Sequence, residues 1–369
     1  MHLVTAYPAG FTTVLFSSHT EGVVSIDARP FIISVVVLAA IAGCTSFDAG
    51  SPGTASPSIS SPPSRPVAPP RSTSAEVPTA ASTIQPAGPT VTQQVVALAP
   101  GVADGASGIA ASTGTPGAYY LVDDRTHTNH IVAVGTDGVV LADVQIEGMS
   151  ASNAEALAGG PCGATPLRYG APETSNCLFI GDIGDNNARR DDIAIFRIGE
   201  PDLSEPPTEP VPTDSWRYTY PDGPQNAESI MAAPDGSVVI VTKPAGGKEP
   251  SRMYRAEPGG GELVFLREFT PPDPQLRLKT LFTGNVVTDL AAAPGRVLLL
   301  TYDELTEYTA PDSAADITGF PDWPHHRLPM PALPQAEGIA AMVGGCGYVV
   351  ASEAGPGGSN GALGVVSCG

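Results

Sequence analysis

Residues 93–369 are predicted to form an all-β fold: a β-propeller of five blades, alternatively six, closed by its N-terminal strand. A signal peptide and a disordered linker are predicted to precede it. Three observations carry the fold prediction. Helical periodicity is nearly absent, and 41 Gly and 39 Pro punctuate short apolar runs, as turns between strands do. A two-strand unit recurs along the chain. The spacing of the units falls around the 40–50 residues of a propeller blade, with insertions.

Each unit opens with a small-residue segment: ASGIAAS at 106–112, AEALAGG at 154–160, AESIMAA at 227–233, TDLAAAP at 288–294 and AEGIAAM at 336–342. An apolar strand ending in a polar residue follows: AYYLVDD (118–124), CLFIGD (177–182), SVVIVTK (237–243), RVLLLTY (296–302) and GYVVASE (347–353). Third strands are predicted at IAIFRI (193–198) and RMYRAE (252–257), and a fourth at SWRYTYP (215–221). Four antiparallel strands per repeat make a blade. The long 155–228 segment has room for a hidden sixth. The last unit lacks an outer strand, and TQQVVALAP (92–100) is the segment that could supply it, joining the two chain ends. A pair of β-sandwiches is the competing architecture.

The N-terminal 92 residues read differently. FIISVVVLAAIAG (31–43) follows Arg29 and is too short to span a hydrocarbon core, so it fits the apolar region of a signal peptide, residues 1–43. Residues 1–22 do not suit a signal peptide, which places the true start near Val23 or Val24. The run ends Ile41-Ala42-Gly43-Cys44, which resembles the lipobox of bacterial lipoproteins. That resemblance implies a diacylglycerol on the Cys44 sulfur, a membrane partner through the lipid, and a location on the outer face of the cell membrane. Residues 44–92 are Ser, Pro, Thr, Ala and Gly with almost no aromatics, too little apolar surface to fold, and read as a tether.

The other four cysteines, Cys162, Cys177, Cys346 and Cys368, allow three pairings in an exported chain. Cys162–Cys177 and Cys346–Cys368 are favoured because each closes a local loop, the second across the closing blade. Net charge is −20, which repels a phosphate backbone, so nucleic acid is not an expected partner. A small polar ligand or a cell-envelope protein is expected instead, with the chain a monomer.

The repeat places Ser107, Glu155, Glu228, Asp289 and Glu337 in one register, on strands that would line a central axis. Four converging carboxylates repel unless something compensates. Ca²⁺ bound by Glu155, Glu228, Asp289 and Glu337 is one solution. The other is that each carboxylate accepts backbone N–H groups of the next blade, with no cofactor. A second register, Asp124, Asp182, Lys243, Tyr302 and Glu353, would gather at the rim as a polar ligand site. GDIGDNNARRDDI (181–193) is the densest polar stretch, and Asp182 and Asp185 within it are either ligand-binding or turn-forming. His127, His130, His325 and His326 fall in loops.

AEALA, LFIGDIGDNNARRDDIAIFRI and YPDGPQNAES with VTKP together resemble a family of bacterial extracytoplasmic β-propellers discussed alongside phytase-like and esterase-like propellers. The resemblance covers roughly 150–260. It implies a propeller fold and, as one activity, Ca²⁺-dependent hydrolysis of ester or phosphoester bonds. Phytase-like phosphate binding needs several basic residues, and only Arg189, Arg190, Lys243 and Lys248 are candidates. A binding or scaffold propeller is the favoured reading, and the metal-dependent hydrolase the alternative.

Overall fold

The computed structural model describes residues 91–167, 176–275, 280–355 and 360–368. The signal peptide, Cys44 and nearly all of the tether lie outside the described residues. The first strand, β1, is Val91–Ala97.

Five sheets form the blades, each built on four antiparallel strands, and two of them gain a short fifth strand paired in parallel at the outer edge. Blade 1 is β2 (Ala106–Ala111), β3 (Ala118–Asp123), β4 (His130–Gly135) and β5 (Val140–Glu147). Blade 2 is β6 (Ala154–Pro161), β7 (Asn176–Asp182), β8 (Ile193–Gly199) and, after the two-residue β9 (Val211–Pro212), β10 (Asp214–Thr219). Blade 3 is β11 (Ala227–Ala232), β12 (Val238–Thr242), β13 (Ser251–Ala256) and, after β14 (Gly261–Glu262), β15 (Val264–Phe269). Blade 4 is β16 (Val287–Ala293), β17 (Arg296–Thr301), β18 (Leu305–Thr309) and β19 (His325–Leu328). Blade 5 is β20 (Gln335–Ala341), β21 (Tyr348–Glu353), β22 (Ala362–Cys368) and β1.

The blade count is five. The long 155–228 segment holds a single blade, its extra length taken up between β6 and β7 and between β8 and β10. Two short parallel pairings lace neighbouring blades, β9 on β5 and β14 on β10. Closure runs as the sequence suggests. β1 pairs with β22 along its whole length, from Val91 opposite Cys368 to Ala97 opposite Ala362.

The burial of each strand explains its composition. Second strands are sandwiched between neighbouring blades on both faces, so β3 and β12 are buried at every position and read as unbroken apolar runs. Outer strands have one wet face, and β5 alternates between exposed and buried residues. The core is correspondingly divided into five apolar clusters, one at each junction between adjacent blades. A ring of branched aliphatics, Ile109, Leu157, Ile230, Leu290 and Ile339, gives one buried member to each cluster.

Inner strands approach closely at the residue before each of these aliphatics. A Cβ on Gly108 would stand 2.4 Å from the Leu157 nitrogen, so blades 1 and 2 meet backbone to backbone there. Both favoured disulfides form: Cys162–Cys177 ties the start of β7 to the end of β6, and Cys346–Cys368 ties the β20–β21 turn to the end of the closing strand pair. Such bonds belong to oxidising compartments, in keeping with an extracytoplasmic location. No helix among the described residues is long and apolar enough to cross a membrane.

The Cys346–Cys368 bridge spans 22 residues and guards the seam where the ring opens. Replacing both cysteines with Ser is expected to remove about 3 kcal/mol of stability. Amide hydrogen exchange should accelerate first in β1 and β22. Uniform acceleration across all five blades would contradict a seam that opens locally.

Candidate functional site

Every inner strand carries a β-bulge near its start. The register with the second strand slips at Ser107, Glu155, Glu228, Thr288 and Glu337, each of which is skipped by the ladder. A bulged residue is released from the pleat and re-aimed. Glu155, Glu228 and Glu337 use this to meet near the axis while staying 4–8% exposed.

In blade 4 the bulged residue is Thr288, so the predicted Asp289 does not belong to the ring. Asp289 occupies the place held by Gly108, Ala156, Ser229 and Gly338, where adjacent blades touch. Its Oδ2 accepts the Ile339 N–H at 2.8 Å, which makes it a latch between blades 4 and 5. Burial holds its carboxyl well above the usual range. The single-register reading of four carboxylates fails because the acid of this blade stands one residue beyond the bulge.

A second, similar correction applies to the rim. On each second strand, the residue that follows the partner of the last inner-strand residue before the bulge is Asp124, Ile183, Lys243, Tyr302 or Glu353. Ile183 lies in the apolar core, whereas Asp182 sits one place earlier, matching Asp123. Asp182 closes its own hairpin, accepting the Asn153 N–H at 2.9 Å and Arg190 Nη1 at 2.8 Å. Asp185 folds the 183–192 loop, with Oδ2 accepting the N–H groups of Arg189 (2.5 Å) and Arg190 (2.7 Å). That loop braces the site at one remove. The Asp185 N–H donates to Asn226 Oδ1 at 2.7 Å, and Asn226 Nδ2 donates to Glu228 Oε1 at 3.4 Å.

The other four rim residues join the ring. Lys243 is central: its ammonium donates to Glu228 Oε2 and, at 2.6 Å, to the Tyr302 hydroxyl. It lies 4.6 Å from the centre of the Tyr302 ring and 3.9 Å from Glu337 Oε2. Burial works against this ammonium, but the Glu228 and Glu337 carboxylates outweigh it and hold its pKa well above the ordinary value. Gln335 Nε2 bridges Glu337 Oε1 (2.9 Å) and Glu353 Oε2 (2.7 Å). Asn153 Nδ2 donates to Glu155 Oε1 at 2.7 Å.

These amides stand two residues before each ring glutamate, as Asn153-Ala-Glu155, Asn226-Ala-Glu228 and Gln335-Ala-Glu337. That recurring triplet is the sequence signal that finds them, and matching acids alone passes over it. In blade 1 the same position is Gly105, where a Cβ would stand 2.2 Å from Asp124 Oδ1, so glycine there admits the carboxyl.

One ammonium among five carboxyl groups leaves the cluster proton-hungry. Burial, reinforced by Glu228 and Glu337, raises Glu155 well above the usual range. Burial raises Glu337 to about 7, with Lys243 opposing and Glu228 adding. Burial and the neighbouring acids bring Glu353 to about 8 and Asp124 to about 6. Among the described residues no group of three or more His, Cys, Asp or Glu is arranged to hold a metal ion. Of the four acids to which Ca²⁺ was one assignment, Glu228 accepts from the Lys243 ammonium, and Glu337 lies 3.9 Å from it.

No family model matches the sequence, and no curated protein matches it. Solved structures superpose weakly. A GH43_1 enzyme from Xanthomonas citri is 11% identical over 74% of this chain and 89% of its own, with a TM-score of 0.42. A putative glucose dehydrogenase from Thermus thermophilus is 11% identical over 75% of this chain and 100% of its own, at 0.38. The β-propeller domain of Cps50 (Swd1) from Myceliophteria thermophila is 8% identical over 71% of this chain and 82% of its own, at 0.30. At these values none bears on what the chain binds.

The cluster makes stability depend on pH. Asp124, Glu337 and Glu353 keep protons in the folded chain that the unfolded chain gives up near pH 4. The folded state therefore binds more protons between about pH 4 and 8, and stability falls as pH rises through about 6, 7 and 8. Asp202, Asp235 and Asp322 shift the opposite way, so their contributions change near and below about pH 4, outside this window. A higher Tm at about pH 5 than at about pH 8.5 is expected, with the difference shrinking in Glu353→Gln. A Tm that rises with pH across this range would contradict the assignment.

Proposed function

We propose that this chain is an extracytoplasmic, membrane-tethered β-propeller that binds a small polar ligand at the axial cluster without transforming it. One observation carries the reading: all five blades deliver polar side chains to one spot at the same end of the axis, although a propeller needs only small or apolar residues there. The Cys44 lipobox and the two disulfides support the address. A tether of nearly fifty residues would let the domain stand clear of the membrane.

Binding without chemistry is favoured by how the groups are held. Lys243 is kept as an ammonium by its carboxylate neighbours, so it offers no lone pair for Schiff-base or nucleophilic work. Glu155, Glu228 and Glu337 are each pinned by an amide donor. A phosphate ester would meet five acids and one base, which sets this site apart from the phytase-like expectation.

A hydrolase of uncharged esters or glycosides is the second reading. Glu337 and Glu353, linked through Gln335 and titrating near neutrality, favour it as a proton-transfer pair.

A thermal-shift screen of small polar metabolites against the wild type and a Glu155→Gln/Glu353→Gln variant separates these readings. Ligands should raise the wild-type Tm by several degrees and leave the variant unmoved. Equal shifts in both proteins would place binding elsewhere. Turnover of a chromogenic ester or glycoside that vanishes in Glu353→Gln would replace the binding reading with the hydrolase.

A further inference from the structure

The axis has a second end. The inner strands run from the polar ring, past the aliphatic floor, to their far ends at Ala111, Pro161, Ala232, Ala293 and Ala341. There they enclose a funnel of about 550 Å³, within the size range of small-molecule sites. Its floor is made by the same five aliphatics, Ile109, Leu157, Ile230, Leu290 and Ile339. Alanine and glycine make up most of its wall, with Ile317 and Trp323 on the side of blade 4.

Two observations show that the funnel is suited to an apolar occupant. Gly159 lines it at an exposed position of β6, yet packing does not demand glycine there. A Cβ on this residue would meet nothing closer than 3.7 Å. Glycine inside a strand is destabilising relative to alanine, so what it provides at 159 is an open lumen. The polar side chains at the mouth, meanwhile, are engaged elsewhere. Asn176 Nδ2 donates to Thr113 Oγ1 at 2.7 Å, and Thr113 donates to Glu200. Arg296 is held by Glu307 at 2.8 Å and by the carbonyls of Gly345, Cys346 and Gly347. Asp312 Oδ1 accepts the Ala314 N–H at 2.8 Å.

The course of the chain points to where such an occupant comes from. β1 starts at Val91, opposite Cys368, and Cys368 is bridged to Cys346 in the 342–347 turn. Met342, Val343 and Gly344 of that turn line the mouth, where Val343 is 59% exposed. Residues 45–90, which follow the lipobox cysteine, therefore join the domain at the funnel end and not at the polar ring. We propose that the funnel binds the single alkyl chain of a neutral amphiphile drawn from the membrane, such as a monoacylglycerol. Glu200, bound to Thr113, and Asp312 stand at the mouth, and with a net charge of −20 they disfavour an anionic head group. The site is separate from the axial cluster and does not depend on what that cluster binds; only the membrane source rests on the Cys44 anchor.

Trp323 in the funnel wall provides the readout. A terminally brominated dodecanol, added to the full-length protein or supplied in phosphatidylcholine vesicles, should quench its fluorescence saturably, and Trp323→Phe should lose that quenching. Competition by octanoyl, decanoyl and lauroyl monoglycerides should strengthen about fourfold per added CH₂ until the funnel is full. Gly159→Leu occupies the lumen and should weaken binding tenfold or more without lowering the Tm. Should that variant fold poorly, the chain-length series and Trp323→Phe decide alone. Quenching that persists in Trp323→Phe, or competition that ignores chain length, would overturn the site. Quenching by the free alcohol but not from vesicles would overturn the membrane source. Uptake of the probe by Cys44→Ser but not by the acylated protein would show the chain's own lipid filling the funnel and would overturn an external ligand.

Discussion

The ammonium of Lys243 is the interaction on which the rest of the axis depends. Three glutamates brought together by bulges in three different blades would repel one another in a buried setting. Lys243 neutralises Glu228 directly and moderates Glu337 from 3.9 Å. Tyr302 fixes it from blade 4, through both its hydroxyl and its ring. The position follows from sequence order alone: Lys243 is the first residue past the end of β12, where a second strand emerges beside the axis. Removing one partner of a buried ion pair strands the other, which costs about 3–5 kcal/mol.

The same bulges join fold to site. Each lies between an alanine or valine that still pairs with the second strand and a residue that touches the next blade. That contact residue is Gly, Ala or Ser in four blades, and inner strands there come close. In blade 4 it is Asp289, whose carboxyl bridges the gap to Ile339 N–H. Directly beneath, the five branched aliphatics anchor the five interblade cores. The polar cluster therefore sits on a rigid apolar floor, with its side chains set by strands and by amide donors two residues upstream.

Much of the architecture is legible in the sequence because it rests on repetition. The small-residue segments, each carrying one central Ile or Leu, the apolar second strands and the orphan strand at 92–100 define five blades and their closure. Cysteine spacing points to both disulfides. The site is less legible, because a bulge changes the count by one residue and flips which side chain faces the axis. Matching acid to acid selects Asp289 over Thr288 and Asp182 over Ile183. Aligning on the aliphatic anchors Ile109, Leu157, Ile230, Leu290 and Ile339 selects correctly in the inner strands. The counter-ion is also within reach: Lys243 falls at the rim by its register, but chain order does not reveal that a four-carbon stem carries its charge back to the ring.

The most direct measurement is the stability of Lys243→Met as a function of pH. If this ammonium organises the cluster, the variant unfolds at a Tm lower by many degrees at about pH 8, recovers most of the loss at about pH 5 as the stranded glutamates take up protons, and is partly rescued at the higher pH by methylammonium. A variant as stable as the wild type at about pH 8, with an unchanged pH profile, would contradict the account.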